Sequence, residues 1–122
     1  MINFVSELTN QFRSVLLESY HEKNKKETVA YPYLTFDFDS EEIEDHVEGF
    51  YIDVDIFDSN SSYVKILEIE DKLKWHFYKN RKLTDDLYLR FHFLRSNKVP
   101  TVDDLIKRRN LQIYCKVDWR NK

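Results

Sequence analysis

Glycine is almost absent from this chain: Gly49 is the one glycine among 122 residues. Phosphate-cradling loops, dinucleotide-binding turns and nucleophile elbows all use glycines, because glycine lets backbone amides approach a ligand closely or adopt positive φ. The single cysteine, Cys115, excludes an internal disulfide and a cysteine-rich metal site, and the four histidines show no ligand spacing. The sequence therefore predicts a protein that is not an enzyme and has no cofactor.

Long apolar runs are also missing, and the first residues lack a basic region followed by an apolar stretch. We therefore expect no membrane span and no secretion signal. The composition is 42% hydrophobic, 16% aromatic and 34% charged, which is typical of a folded domain with a solvated surface. One domain over residues 1–122 is expected, and Cys115, in an alternating apolar run, is predicted to be a buried, reduced thiol of a protein assembled in the cytoplasm.

Lysine and arginine are absent between Lys26 and Lys65, where eleven carboxylates lie. This segment carries a formal charge of −11, whereas residues 65–122 carry +7, so the net charge of −3 hides a strong asymmetry. Complementary fields steer and select binding partners. The sequence therefore predicts a charged partner, with an acidic hairpin at about 31–58 and a basic C-terminal half at 65–122.

Apolar periodicity places six main elements along the chain. Helical spacing predicts helices over 2–22 and from Tyr63 to about Tyr78, and alternation predicts strands from Tyr31, over 50–57, over 87–94 and over 111–119. A turn-like acidic segment is expected over 40–48, a polar connection over 79–86 and a short helical turn over 103–107. The predicted class is α+β: about four strands, mainly antiparallel, with two long helices packed on one face in the order α-β-β-α-β-β. The other face of the sheet is predicted to be aromatic, with Tyr33, Tyr51, Phe57, Tyr88 and Tyr114.

These residues offer three candidate sites: a metal site, a general base and a phosphate-binding surface. The acid pairs Asp37 with Asp39 and Asp53 with Asp55 offer oxygen ligands to Mg²⁺, although a solvated strand face explains them more simply. His92 has no partner acid in its motif, so a structural or surface role is favoured over that of a general base. The basic C-terminal half can contact phosphates as a small nucleic-acid-binding module, but a sequence pI near 5.8 is unlike a dedicated binder.

The plan as a whole resembles the tail terminator and tail completion proteins of long-tailed bacteriophages. The resemblance rests on four features of the sequence. They are an N-terminal amphipathic helix, the strand at Tyr31-Pro32-Tyr33-Leu34-Thr35-Phe36, residues 50–58 running into the helix that reaches Phe77, and the closing strand at 108–114. It implies a non-enzymatic virion protein that forms a hexameric ring at the head-proximal end of the tail, ends tube growth and joins tail to head. Its implied partners are copies of itself, the tail tube protein and head connector proteins, with DNA passing through but no specific DNA binding.

A ring is built from heterologous contacts, in which one patch of each subunit meets a different patch of the next. We therefore predict that the acidic hairpin meets a basic surface of a neighbouring subunit or of another tail or connector protein. Three alternatives remain at this point: charge pairing within one subunit, an acidic lumen along which DNA slides, and another role in head-tail joining. The predicted interface residues are Asp37, Asp39, Glu41, Glu42, Glu44, Asp45, Asp53, Asp55, Arg90, Lys107, Arg108 and Arg109.

Overall fold

A computed structural model describes residues 1–120 of the chain. Eight elements follow one another: α1 (Ile2–Arg13), β1 (Ser19–His21), β2 (Tyr33–Glu44), β3 (Val47–Ser59), α2 (Val64–Phe77), β4 (Arg81–Leu83), β5 (Leu87–Val99) and β6 (Ile106–Trp119). The strands form one six-stranded mixed sheet in the order β1-β2-β3-β6-β5-β4, with β1 parallel to β2 and every other pair antiparallel. The predicted four-stranded sheet with two long helices is wrong, because the helices are short and two further strands lie at the edges.

Strands β3 and β6 form the centre of the sheet. They pair along their whole length, from Val47 opposite Asp118 to Ser59 opposite Ile106. Over residues 50–56 and 111–117 the two strands alternate between buried apolar residues on one face and half-buried or exposed residues on the other. A strand with one apolar face is held in a single register, because a shift by one residue would turn that face to water. The register of the central pair therefore fixes which side chains of β3 and β6 face away from the core.

The first helix is much shorter than its predicted extent of 2–22. It ends at Arg13, and the chain then passes through a tight connection in which the Ser19 hydroxyl donates to the Leu16 carbonyl at 2.6 Å. Residues 19–21 form β1, which runs parallel to Leu34–Phe36 of β2. Tyr20 continues the apolar spacing of α1, so the pattern alone extends the helix. The main-chain pairing of residues 19–21 with β2 therefore outweighs the helical spacing of the apolar residues.

The second helix is confirmed, since Val64–Phe77 matches the predicted span from Tyr63 to about Tyr78. The Ser62 hydroxyl accepts a hydrogen bond from the Val64 N–H at 3.1 Å, which satisfies one of the free donors at the start of the helix. Ile66, Ile69, Leu73 and Phe77 form its buried face. Neither helix of the described residues is long and apolar enough to cross a membrane.

Both helices contribute to one core on the same face of the sheet. Phe12 of α1 lies between Phe36 of β2 and Phe77 of α2, with ring centroids 4.8 Å and 5.1 Å away. Phe4 packs on Phe50 in the same layer at 4.1 Å. Cys115 is buried in this core as predicted, and burial raises the pKa of its thiol. A neutral thiol behaves there as a small apolar side chain.

The connections differ from their predictions at three places. The acidic segment 40–48 is mostly strand, because β2 continues to Glu44 and a two-residue turn, Asp45-His46, leads directly into β3; His46 has φ 64°. The polar segment 79–86 contains β4, which pairs with Tyr88–Arg90 of β5. Residues 102–105 form bends and a turn, and β6 begins at Ile106 where a helical turn was predicted.

Candidate assembly interface

The face of the sheet opposite the helices carries the aromatic side chains that the sequence predicted there. Tyr33 stacks on Phe57 across β2 and β3, with centroids 4.9 Å apart and an interplanar angle of 17°. Tyr51 contacts Tyr114 across β3 and β6 at 5.1 Å, and Tyr51 is 46% exposed. We refer to this surface, formed by the outward-facing residues of β2, β3, β6 and β5, as the open face. Partly exposed aromatics next to charges are characteristic of protein interfaces.

The one glycine lies beneath an aromatic ring of the open face. A Cβ added at Gly49 would lie 2.9 Å from Cε1 of Tyr114, closer than carbon atoms normally approach. Any other residue at this position would have to displace the Tyr114 ring. Gly49 is therefore explained by close packing on the sheet, and not by a phosphate-binding loop.

Acidic side chains collect on the β2 and β3 side of the open face. The register places Asp37 directly opposite Asp53 and Thr35 opposite Asp55, while Asp39 and Glu41 follow along β2. Like charges at directly opposed positions repel one another. The amide of Gln112 on β6 donates to Asp53 Oδ1 at 3.0 Å, and the imidazole of His21 lies 3.7 Å from Asp37 Oδ1. The Gln112 amide carries no charge, so it offsets only part of the repulsion between the two carboxylates.

The three remaining acids of the predicted interface lie at the end of the β2–β3 hairpin. Glu42, Glu44 and Asp45 are all exposed, and no hydrogen bond or ion pair to their side chains is found among residues 1–120. Glu41 accepts a hydrogen bond from the Tyr51 hydroxyl at 3.2 Å, and this bond and charge raise the pKa of Tyr51. The acidic charge at this end of the molecule therefore remains available to a partner.

Three of the four predicted basic residues are paired within the subunit. Arg108 contacts Asp55 at 3.2 Å on the open face. Arg90 contacts Asp118 at 2.6 Å, and the guanidinium of Arg90 also lies 5.1 Å from the centre of the Tyr88 ring. These carboxylates hold the two guanidinium groups on the open face, so neither arginine is free to bind a phosphate or a neighbouring subunit.

Arg109 and Lys107 lie elsewhere than the open face. Arg109 is directed to the helix side, where it contacts Glu70 of α2 at 2.9 Å and Ser96 at 3.1 Å. Lys107 lies over the Tyr63 ring, with Nζ 5.1 Å from the centroid, and donates to the Asp104 carbonyl. The predicted cation cluster at 107–109 is therefore split between two faces of β6, because successive residues of a strand point to opposite faces.

The structure reveals two unpaired strand edges that the sequence reading did not identify. Strand β1 pairs only with Leu34–Phe36, so residues 37–44 of β2 have no partner strand on their outward side among the described residues. On the opposite side of the sheet, β4 pairs only with Tyr88–Arg90, so residues 92–99 of β5 are equally unpaired within 1–120. We refer to residues 37–44 as the acidic edge and to residues 92–99 as the basic edge.

The two edges differ sharply in charge. The acidic edge contains five carboxylates and no lysine or arginine, and the basic edge contains Arg95, Lys98 and His92 and no carboxylate. Each edge also exposes one large apolar side chain at a β-bulge, Ile43 at 44% and Leu94 at 48%. Arg95 and Lys98 were absent from the predicted interface. The lack of acids between Tyr88 and Thr101 is the sequence signal that could have indicated them.

The described residues gather no group of three or more His, Cys, Asp or Glu side chains arranged to hold a metal ion. Their surface depressions are open to solvent, such as the one between the hairpin end and α1 that is lined by Glu42, Asp45, His46 and Trp119. His76 lies beside a second depression next to α1, where burial lowers the pKa of His76 and its ring nitrogen is 2.7 Å from Gln11 Oε1. Ser14 and Asp71 also line this second depression, but the Ser14 hydroxyl donates to the Gln11 carbonyl and the His76 ring contacts the Gln11 side chain, so the three groups are not hydrogen-bonded to one another.

Comparison with solved structures finds a chain that shares this fold. The fold is shared with a chain of the virion of a native gene transfer agent particle. The two structures superpose with a TM-score of 0.69 over 88% of this chain and 84% of the other, at 11% sequence identity. No protein-family model and no curated protein sequence matches the chain. At this identity the likeness establishes the fold alone.

Proposed function

We propose that this chain is a non-enzymatic structural subunit of a phage-like virion, and that within it the chain forms the ring that ends the tail at its head-proximal end. The observation that carries the proposal is the fold shared with a chain of a gene transfer agent virion over nearly the whole length of this protein. The resemblance to tail terminator and tail completion proteins supports the finer role. Its partners would be copies of itself, the tail tube protein and the head connector proteins, at the head-tail junction of a particle assembled in the host cytoplasm.

The surface of the molecule suits a subunit that contacts unlike neighbours. The acidic edge and the basic edge lie on opposite sides of one sheet. Heterologous contacts require two different, mutually complementary patches on each subunit, and they close into a ring when the rotation between copies permits. The open face between the edges adds exposed aromatic area, which supplies most of the affinity in typical interfaces.

Nucleic-acid binding is the less favoured function. Arg90, Arg108 and Arg109 are held in ion pairs with carboxylates of the same subunit. A phosphate would have to displace those carboxylates, whereas a nucleic-acid interface normally presents its cations free in one patch. The open face also carries the acids Asp37, Asp39 and Asp53, which would repel a phosphate backbone.

The proposed function is tested by deleting the gene from a cell that produces the particles and measuring tail length by electron microscopy. A tail terminator is expected to cap the tube, so its loss should give tubes of uncontrolled length that are not joined to filled heads. Supplying the full chain from a plasmid should restore tails of uniform length. Tails of normal length that remain unattached would instead indicate another head-tail joining role, and unchanged particles would contradict the proposal.

A further inference from the structure

We infer that copies of this chain join by pairing the acidic edge of one subunit, residues 37–44, with the basic edge of the next, residues 92–99, as neighbouring antiparallel strands of one continuous sheet. This inference rests on the proposed function, because it names the contact by which the subunits of the ring are joined. The partner at each edge is a second copy of this chain. Main-chain hydrogen bonds provide affinity in such strand addition, and side chains provide specificity.

The directions of the strands permit this contact. From β2 across the sheet, every neighbouring pair is antiparallel, so β5 runs opposite to β2. If a second copy is placed beside the first in the same orientation, the β5 edge of one meets the β2 edge of the other in antiparallel fashion. Both edges are eight residues long, from Asp37 to Glu44 and from His92 to Val99. Neither edge has to reverse or extend to pair.

The backbone groups needed for pairing point outward at both edges. Leu34 N–H donates to Glu18 and the Phe36 carbonyl accepts from Glu22, both on the outer side of β2. Since the direction alternates along a strand, Ser40 also presents its N–H and C=O outward. On β5, Phe91 N–H donates outward to Asn80, and the register shift between Phe93 and Arg95 makes Ser96 outward-facing in the same way.

One of these edge donors is already occupied in the single subunit. The Asp37 carboxylate accepts a hydrogen bond from the Phe38 N–H at 2.9 Å. A neighbouring strand would replace this local bond with a main-chain bond and free the carboxylate for a cation. Unpaired edges are an aggregation hazard that proteins manage with charge, so the distribution of charge decides which pairing is allowed.

Electrostatic repulsion disfavours the pairing of two like edges, and attraction favours the pairing of an acidic edge with a basic edge. Two acidic edges would bring ten carboxylates together, since each edge contains five. Two basic edges would oppose Arg95 and Lys98 with their own copies. Pairing the acidic edge with the basic edge over their full length instead places Asp37 opposite Val99 and Glu44 opposite His92. In this register Glu41 lies opposite Arg95 on the open face, and the exposed side chains of Ile43 and Leu94 enter the contact. Such a pattern disfavours a two-fold dimer through one edge and favours the head-to-tail arrangement of a ring.

The two edges are staggered along the strand direction. Following the register across the sheet, His92 lies at the level of Asp39 and Val99 at the level of Tyr33, whereas the acidic edge continues to Glu44. Joined subunits would therefore be offset along their strands. Closed sheets accommodate such an offset by tilting the strands relative to the axis, which relates strand tilt to the size of the closed assembly.

Disulfide trapping tests the contact in the purified full-length protein. The end-to-end pairing places Asp39 opposite Asn97 at a pair without main-chain hydrogen bonds, where Cα atoms lie about 4.5 Å apart, within the range of a disulfide. Both residues are exposed, and the native Cys115 is buried and does not compete. Chains carrying Asp39→Cys are mixed in equal amounts with ¹⁵N-labelled chains carrying Asn97→Cys in a glutathione redox buffer, and the three possible dimers, which then differ in mass, are quantified by mass spectrometry. A chain carrying Lys72→Cys, on the exposed side of α2, is the matched control.

In an equimolar mixture, random pairing gives one Asp39–Asn97 disulfide for each dimer of like chains, and we expect this ratio to rise about tenfold, which corresponds to about 1.4 kcal/mol of preference. The excess should fall at 1 M salt, where screening acts over about 3 Å. A random distribution of dimers, or an equal excess with the Lys72→Cys control, would overturn the inference. A tail-length defect on gene deletion together with a random distribution would leave the proposed function standing and remove the edge contact. A clear excess of the Asp39–Asn97 disulfide together with unchanged particles would support the edge contact and contradict the proposed function.

Discussion

Replacing Glu41, Glu42 and Glu44 together by lysine is expected to stop the chain from complementing its own gene deletion. All three side chains are exposed on the acidic edge, so the subunit should still fold. The change converts attraction to Arg95 and Lys98 of a neighbour into repulsion. Cross-strand charge pairs contribute about 0.2–1 kcal/mol each, so the reversal should weaken each subunit contact by about 1–4 kcal/mol, or about five- to a thousandfold. The measurement is the number of tailed, filled particles per cell.

A matched variant distinguishes the position of the charge from its amount. Glu27, Glu68 and Asp71 are also exposed acids, but they lie outside both edges. Their replacement by lysine changes the net charge equally and should leave particle number close to that of the wild type. Reversing the basic edge with Arg95→Glu and Lys98→Glu should restore particles only when that chain is mixed with the lysine variant. Normal complementation by the lysine variant would contradict a charge-selected contact at the acidic edge.

The second large effect is on folding. Phe12→Ala should lower the free energy of unfolding by about 3–5 kcal/mol, the usual cost of removing a buried phenylalanine. Phe12 is fully buried, and its ring joins both helices to the sheet through Phe36 and Phe77. For a chain of 122 residues this loss corresponds to a decrease in Tm of about 12–20 °C.

Thermal unfolding monitored by circular dichroism measures this effect. Phe12→Leu is the graded control, because it keeps an apolar side chain in the same space and should cost less than Phe12→Ala. An exposed aromatic, Trp75 at 66% exposure, provides the contrast: Trp75→Ala should change Tm by little. A decrease in Tm for Phe12→Ala no larger than that for Trp75→Ala would contradict the placement of Phe12 at the junction of helices and sheet.

Periodicity in the sequence identified the elements that have a clear apolar face. The helix α2 and the four long strands each bury a regular set of side chains, and these segments were predicted, although the strands extend up to five residues beyond their predicted ends. The aromatic residues of the open face were also placed correctly. Alternation alone identifies these strands and their two faces, because burial of one face holds a strand in register.

The elements that the sequence missed are those defined by pairing. In β4, Arg81, Lys82 and Leu83 are all exposed, so no apolar pattern indicates a strand. In β1, Tyr20 continues the helical spacing of α1, although the backbone pairs with β2. The four-stranded prediction with two long helices was wrong for this reason: main-chain hydrogen bonds to an existing sheet can order three residues that have no strand signal of their own.

The candidate interface was only partly accessible from the sequence. The concentration of acid at 37–45 was visible, and the structure leaves most of it exposed. On the basic side the sequence indicated residues 107–109 as its densest cations, and in the structure Arg108 and Arg109 pair with Asp55 and Glu70 of the same subunit. Partners separated by more than 35 residues along the chain cannot be found by spacing. The position of Arg95 and Lys98 on an unpaired edge likewise depends on where β4 ends.

Locating the chain in complete particles tests the central claim most directly. Particles are labelled with gold-conjugated antibody against the full chain and imaged by electron microscopy. A ring subunit that ends the tail predicts label confined to the junction between head and tail, at one position per particle. Label distributed along the tail, label on the head surface, or particles that carry none would contradict the account.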